Sequence, residues 1–270
     1  MDYTLLLTLF VFGAIGGFLS GLLGVGGGII FVPILSTVLS KLGLEGPELA
    51  KYILANSFAA TFFAGAISTL KQYKLNHFYP KQILLTASLA IPASLLITHA
   101  IATGSWYNER NFNIFFIILL VVTLVRFLSS KARPVESKHQ PKPWKYPLAG
   151  ALTGIISGLS GLGGGVIMVP LFSQYLKLNI KKAAAISIGV IPTMMIPTLI
   201  LYGSYTAPST GFQWQMGYLL PNVFLPLVAG LLFAAPIGVT AGQKTSSKYL
   251  RIIFAVLIFI IILKTITSIL

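Results

Sequence analysis

The sequence predicts an all-α polytopic membrane protein made of two inverted repeats, each a broken-helix hairpin plus three transmembrane helices. Three observations carry that reading. The first is composition: 56% of the 270 residues are hydrophobic and 9% are charged, with a mean hydropathy of +0.88, values that belong to integral membrane proteins. The second is a duplication. "GFLSGLLGVGGGIIFVPIL" at 17–35 returns as "GIISGLSGLGGGVIMVPLF" at 154–172, with 11 of 19 positions identical. The third is the distribution of charge between the apolar runs, which assigns each loop a side.

Apolar runs extend over 3–40, 52–70, 82–104, 111–130, 147–176, 183–202, 217–243 and 249–270. A spanning helix needs about 20 apolar residues, so the first and fifth runs, which hold the glycine motif, exceed one crossing and barely reach two. That length suits a hairpin of two shorter helices. The central linker carries Lys131, Arg133, Lys138, Lys142 and Lys145 with Pro134, Pro141 and Pro143, an extended basic connector that the positive-inside rule places in the cytoplasm. It divides the chain into a first membrane repeat (1–133), the linker (134–146) and a second repeat (147–270). If 147–176 crossed once, the basic loops at Lys177–Lys182 and Lys244–Arg251 would both lie outside, against the rule. A hairpin that enters and leaves on one side places both inside and the uncharged loop 203–216 outside.

A hairpin plus three crossings shifts the chain by an odd number of sides, so the second repeat is inverted relative to the first and both termini fall outside. Weaker matches extend the repeat: Ser57 with Ser187, Pro92 with Pro236, and Arg126 with Lys264. Inverted repeats are a hallmark of alternating-access transporters.

The glycine triplets are costly. Each glycine loses about 1 kcal/mol against alanine in a helix interior, and Pro33 and Pro170 follow closely. In hydrocarbon such a break is tolerated only where protein or a polar cavity covers it. Bare amides at a helix N-terminus favour an anion without a fixed positive charge. Gly26, Gly27 and Gly28, brought against Gly163, Gly164 and Gly165 by the repeat, would form a compact anion site. Asn56, Ser57 and Ser187, on the helix after each hairpin, are the side chains expected beside it. The glycines before Gly24 and Gly161 recur every fourth residue and read as helix-packing stripes. Arg126 and Lys264 read as snorkelling cations, and His99 as an interfacial residue.

Several functions are excluded. With no cysteine there is no disulfide or thiolate metal site, and no cofactor is expected. The acids Asp2, Glu45, Glu48, Glu109 and Glu136 all lie at the terminus or in loops, which argues against a sodium site, a proton relay and cation transport. Ser20 and Ser157 precede glycine, but the sequence around them lacks the GxSxG pattern and no histidine accompanies them, so an intramembrane hydrolase is not expected. The net charge of +14 comes from clusters between apolar runs and reflects topology rather than nucleic-acid binding. The expected partners are a small anion and the lipid bilayer, with oligomerisation left open.

With its paired "GLLGVGGGIIFVPIL" and "GLSGLGGGVIMVPLF", short chain and basic central linker, the sequence resembles the TauE/SafE family of sulfite exporter-type permeases over essentially its whole length. The resemblance implies a multi-pass transporter of the bacterial inner membrane that moves small sulfur-containing anions such as sulfite, sulfoacetate or other organosulfonates. Members commonly carry a threonine-serine pair after each hairpin, where this chain has Asn56-Ser57 and Ile186-Ser187.

Overall fold

The apolar runs become ten helices in a computed structural model that describes residues 3–129, 141–211 and 214–267. The first half contains α1 (Tyr3–Leu23), α2 (Gly28–Lys41), α3 (Gly46–Lys74), α4 (Pro80–Thr103) and α5 (Glu109–Ser129). The second contains α6 (Lys145–Ser160), α7 (Gly165–Gln174), α8 (Ile180–Ser204), α9 (Pro221–Lys244) and α10 (Ser247–Thr267). Five of these, α1, α3, α4, α8 and α9, are long and apolar enough to cross a membrane alone. The linker residues Lys131, Arg133, Pro134 and Lys138 lie outside the described residues.

Both glycine-rich runs break where the triplets sit, but the first hairpin is lopsided. We expected two short helices; α1 has 21 residues, long enough to span unaided, and the shortening falls on its partner α2 with 14. In the second half α6 has 16 residues and α7 has 10. The chain reverses at each break. Phe31 of α2 folds back on Gly16 of α1, and Gly164 lies between Thr153 of α6 and Met168 of α7.

Close glycine contacts fix the direction of the neighbouring helices. Gly13, Gly17 and Gly21 of α1 meet Leu227, Leu231 and Ala235 of α9 in that order, and Gly150, Gly154 and Gly158 of α6 meet Thr86, Ala90 and Ile97 of α4. Both pairs are therefore parallel. A Cβ on Gly17 would lie 2.6 Å from the Leu231 Cβ, and one on Gly158 would lie 2.7 Å from the Ile97 Cγ2, so the outer glycine stripes are what lets these helices approach. The central pair runs the other way: Phe58 meets Tyr202, Gly65 meets Ile191 and Thr69 donates to the Ile188 carbonyl, which makes α3 and α8 antiparallel.

These contacts repeat with the halves exchanged. The first helix of each half lies on the fourth of the other, and the third helices, α3 and α8, lie on each other. Two faces result. One, the linker face, holds the ends of α3, α5, α7 and α9 and the starts of α4, α6, α8 and α10; the charged residues described in its loops are all lysines or arginines, among them Lys71, Lys74, Lys81, Lys177 and Lys244. The opposite face holds a balanced set, Lys41, Glu45, Glu48, Lys51, Glu109 and Arg110.

Candidate functional site

At 1.5 Å per residue, α2 descends about 21 Å from the opposite face and α7 rises about 15 Å from the linker face. Together they cover a hydrocarbon core about 30 Å thick, and their N-termini meet inside it. A Cβ on Gly28 would lie 2.7 Å from the Leu162 Cα, and one on Gly165 would lie 2.6 Å from the Val25 Cα. The same two positions of each motif thus touch reciprocally across the halves.

The two breaks share one backbone geometry. Gly24, Gly26 and Gly27 have φ of 79°, 79° and 77°, and Gly161, Gly163 and Gly164 have φ of 72°, 68° and 81°. An L-residue reaches this left-handed region only at a cost of about 1–2 kcal/mol, which explains glycine at three positions in each copy. The Gly24 amide bonds back to the Ser20 carbonyl and the Gly161 amide to the Ser157 carbonyl, ending α1 and α6. Among the described residues, nothing accepts from the amides of Gly26, Gly27 and Gly28 or of Gly163, Gly164 and Gly165. All six glycines are buried, and neither α2 nor α7 has a side-chain N-cap. Six amide groups without protein acceptors therefore sit at two abutting helix N-termini, where the helix dipoles add their positive ends.

The sequence-predicted serines are beside the breaks. The Ser57 hydroxyl donates to the Gly161 carbonyl at 2.7 Å, and the Ser187 hydroxyl donates to the Gly24 carbonyl at 2.9 Å. Each serine thus bonds the carbonyl of the glycine that follows the other half's first helix. Neither makes the bond to its own helix backbone that is usual for serine in a membrane helix. In this conformation both hydroxyl protons are engaged.

Asn56 is elsewhere. Its amide donates to the Tyr52 and Tyr218 carbonyls at 2.8 and 3.1 Å, and its oxygen accepts from the Leu220 amide at 2.8 Å. It holds Tyr218 and Leu220 at the start of α9 instead of facing the glycines. Neighbours on a helix point about 100° apart, so Asn56 and Ser57 cannot share a target.

Two residues absent from the sequence expectations lie between the breaks. Thr61 and Ile191, four positions beyond Ser57 and Ser187, both approach Gly26 and Gly163; the Thr61 Cγ2 is 2.9 Å from where a Gly26 Cβ would be. The Thr61 Oγ1 is fully buried and has no hydrogen-bond partner among the described residues. One helical turn after a repeated serine is the signal that could have found it.

Above the breaks, toward the opposite face, aromatic side chains close the way. Tyr52, Phe58 and Tyr202 are fully buried, with Tyr218 nearly so; Tyr218 stands edge-on to both Tyr52 and Tyr202. Burial, reinforced by nearby Glu48, pushes the Tyr218 phenol up to about 12, so it stays neutral. Arg126 is exposed. His99 is also exposed and bonds to the Tyr205 hydroxyl through Nδ1 at 2.5 Å. Lys264 lies over the Phe12 ring. No cluster of three metal-binding side chains occurs among the described residues.

Comparison with known proteins gives the family. The sequence profile described as "Sulfite exporter TauE/SafE" matches residues 9–265. The chain belongs to the TauE/SafE family. It is 29% identical over 257 residues to a "probable membrane transporter protein" of Methanocaldococcus jannaschii, covering 94% of this chain and 93% of that one. A similarly named protein of Haemophilus influenzae is 27% identical over 96% of this chain and 97% of its own. The Bacillus subtilis protein YunE, with the same description, is 26% identical over 94% of each chain. No solved structure matches. This TauE/SafE member is a multi-pass membrane transporter.

Proposed function

We propose that the protein exports small sulfur-containing anions, sulfite or organosulfonates such as sulfoacetate, by alternating access between two inverted repeats. The observation that carries this reading is the meeting of two helix N-termini whose glycine amides have no protein acceptor. Such a site binds negative charge through backbone dipoles, and glycine lets a compact oxyanion approach the chain closely. In this reading Gly26, Gly27, Gly28, Gly163, Gly164 and Gly165 bind the anion, Ser57 and Ser187 fix the two breaks, and Asn56 holds the start of α9. The antiparallel α3 and α8 support the inversion of the halves. The excess of lysine and arginine on the linker face supports a cytoplasmic linker with both termini outside a bacterial inner membrane. An inside-negative potential favours anion exit by about 2.3 kcal/mol per charge per 100 mV, which makes export the downhill direction.

The test is efflux of labelled sulfite from proteoliposomes. Gly27→Val and Gly164→Val each place a β-branched residue at a φ near 80° and against a neighbour: the added Cβ would meet the Phe31 ring at 2.7 Å and the Thr153 Cγ2 at 2.5 Å. Both variants should insert in the membrane and lose efflux. Normal efflux by both would remove the breaks from the mechanism.

A further inference from the structure

Among the described residues, the hydroxyls of Ser20, Thr61, Ser68, Thr98, Ser157 and Tyr202 are fully buried and have no hydrogen-bond partner. A hydroxyl hidden from water in this way is costly unless an acceptor arrives. It is also unlike its neighbours. Thr69, Thr86, Thr153 and Thr240 each donate to the carbonyl four residues back in their own helix, the usual solution in a membrane helix.

These hydroxyls are ordered along the molecule. Ser20 and Ser157 occupy the same position of the duplicated motif, and their carbonyls accept from Gly24 and Gly161 where α1 and α6 end. Thr61 lies between the breaks. Ser68 follows it two turns along α3, about 10 Å nearer the linker face. Aligning Ser57 with Ser187 pairs Ser68 with Thr198 and Gln72 with Tyr202. Because α8 is antiparallel to α3, Thr198 and Tyr202 lead away from Ile191 toward the opposite face. The neighbouring helices complete two seams, since α9 packs on α3 and α4 packs on α8. On the linker side Gln243 Nε2 of α9 donates to Gln72 Oε1 at 3.0 Å. On the other side the hydroxyls of Ser94 of α4 and Thr198 bond at 3.1 Å, with Thr98 one turn further along α4. Each seam is thus bridged by one side-chain hydrogen bond between helices.

We propose that the transported anion moves along these two seams. Thr61 and Ser68 line the half-route from the breaks to the linker face, and Thr98 and Tyr202, beside Thr198, line the half-route to the opposite face. The proposal rests on the alternating-access reading of the two halves, but not on which anion they carry. Polar side chains inside a membrane bundle mark substrate routes, and inversion gives each seam one mouth. As the halves rock, one seam opens while the other stays bridged, and the hydroxyls of the open seam donate to the oxyanion.

The chain has no native cysteine, so Ser68→Cys and Thr98→Cys can be probed singly in membrane vesicles of known sidedness. The probe is a membrane-impermeant anionic thiol reagent, sulfonatoethyl methanethiosulfonate. Ser68→Cys should react from the linker side only and Thr98→Cys from the opposite side only, and each reaction should block sulfite efflux. Thr265→Cys is the control: that residue is buried on α10, its hydroxyl bonds to the Ile261 carbonyl at 2.8 Å, and it should stay unreactive. Ser68→Ala and Thr98→Val decide the matter if the cysteine variants do not fold. Their hydroxyls have no partner to lose, so the thermal midpoint should hold while efflux falls about tenfold, the loss of one hydrogen bond to the passing anion. A hydroxyl with a merely structural role would lower the midpoint instead. If Ser68→Cys and Thr98→Cys stay unreactive in protein that moves sulfite, or Ser68→Ala and Thr98→Val keep wild-type efflux, the route is overturned and the transport reading stands. Reaction in the expected pattern in protein that moves no sulfite would overturn the choice of anion and leave the route.

Discussion

Replacing Ser57 by alanine removes the hydroxyl that donates to the Gly161 carbonyl at 2.7 Å and changes little else, because one oxygen leaves only a small void. The carbonyl belongs to Gly161, the residue that caps α6 after Ser160, where helix geometry provides no amide partner, and the site is fully buried. Leaving a buried acceptor unpaired costs about 1–3 kcal/mol, so Ser57→Ala should lose that much stability. Ser187→Ala removes the reciprocal bond to Gly24, 2.9 Å long, and should lose a similar amount, within about 0.5 kcal/mol if the two sites are copies. Equilibrium unfolding in mild detergent, followed by tryptophan fluorescence, measures both. Ser88→Ala is the control: its hydroxyl bonds to the Leu85 carbonyl on an exposed surface, where a change below about 0.5 kcal/mol is expected. If Ser57→Ala is no more destabilising than Ser88→Ala, the serines do not hold the breaks and the reasoning fails.

Asn56→Leu leaves the Tyr218 carbonyl and the Leu220 amide unpaired, at about 1–3 kcal/mol each; the thermal midpoint should fall while sulfite binding per folded molecule persists. Gly17→Leu drives a side chain into Leu231, whose Cβ already sits 2.6 Å from the added Cβ, so α1 should not dock on α9 and folded yield in the membrane should collapse. Because the chain has no native cysteine, single cysteines report topology cleanly: Lys74→Cys should label only from the cytoplasmic side and Lys41→Cys only from the other.

The fold was legible to the extent that membrane physics writes it in composition. Eight apolar runs became ten helices because the two glycine triplets broke the two long runs, and the Lys177 to Lys182 loop fixed the second hairpin through its charge. The length of α1 was not legible, since glycine spacing marks where a helix ends but not where it begins. At the breaks, the glycines and the serine pair stood out in the sequence because duplication singled them out. Asn56 was misread as a neighbour of the breaks because adjacency in sequence hid its direction on the helix. Thr61 escaped notice because its counterpart is the apolar Ile191, so the repeat does not flag it.

The central claim is that the two glycine breaks together bind an oxyanion, and ligand-induced stabilisation of the purified protein tests it most directly. Thermal unfolding would be compared in sulfite, sulfate, thiosulfate, sulfoacetate, taurine, acetate and chloride. A ligand at a hundred times its dissociation constant adds about 2.7 kcal/mol, which is readily measured. The account predicts selective stabilisation by a sulfur oxyanion in the wild type and its loss in Gly27→Val and Gly164→Val. Stabilisation by none of these anions, or stabilisation that survives in both variants, would contradict it.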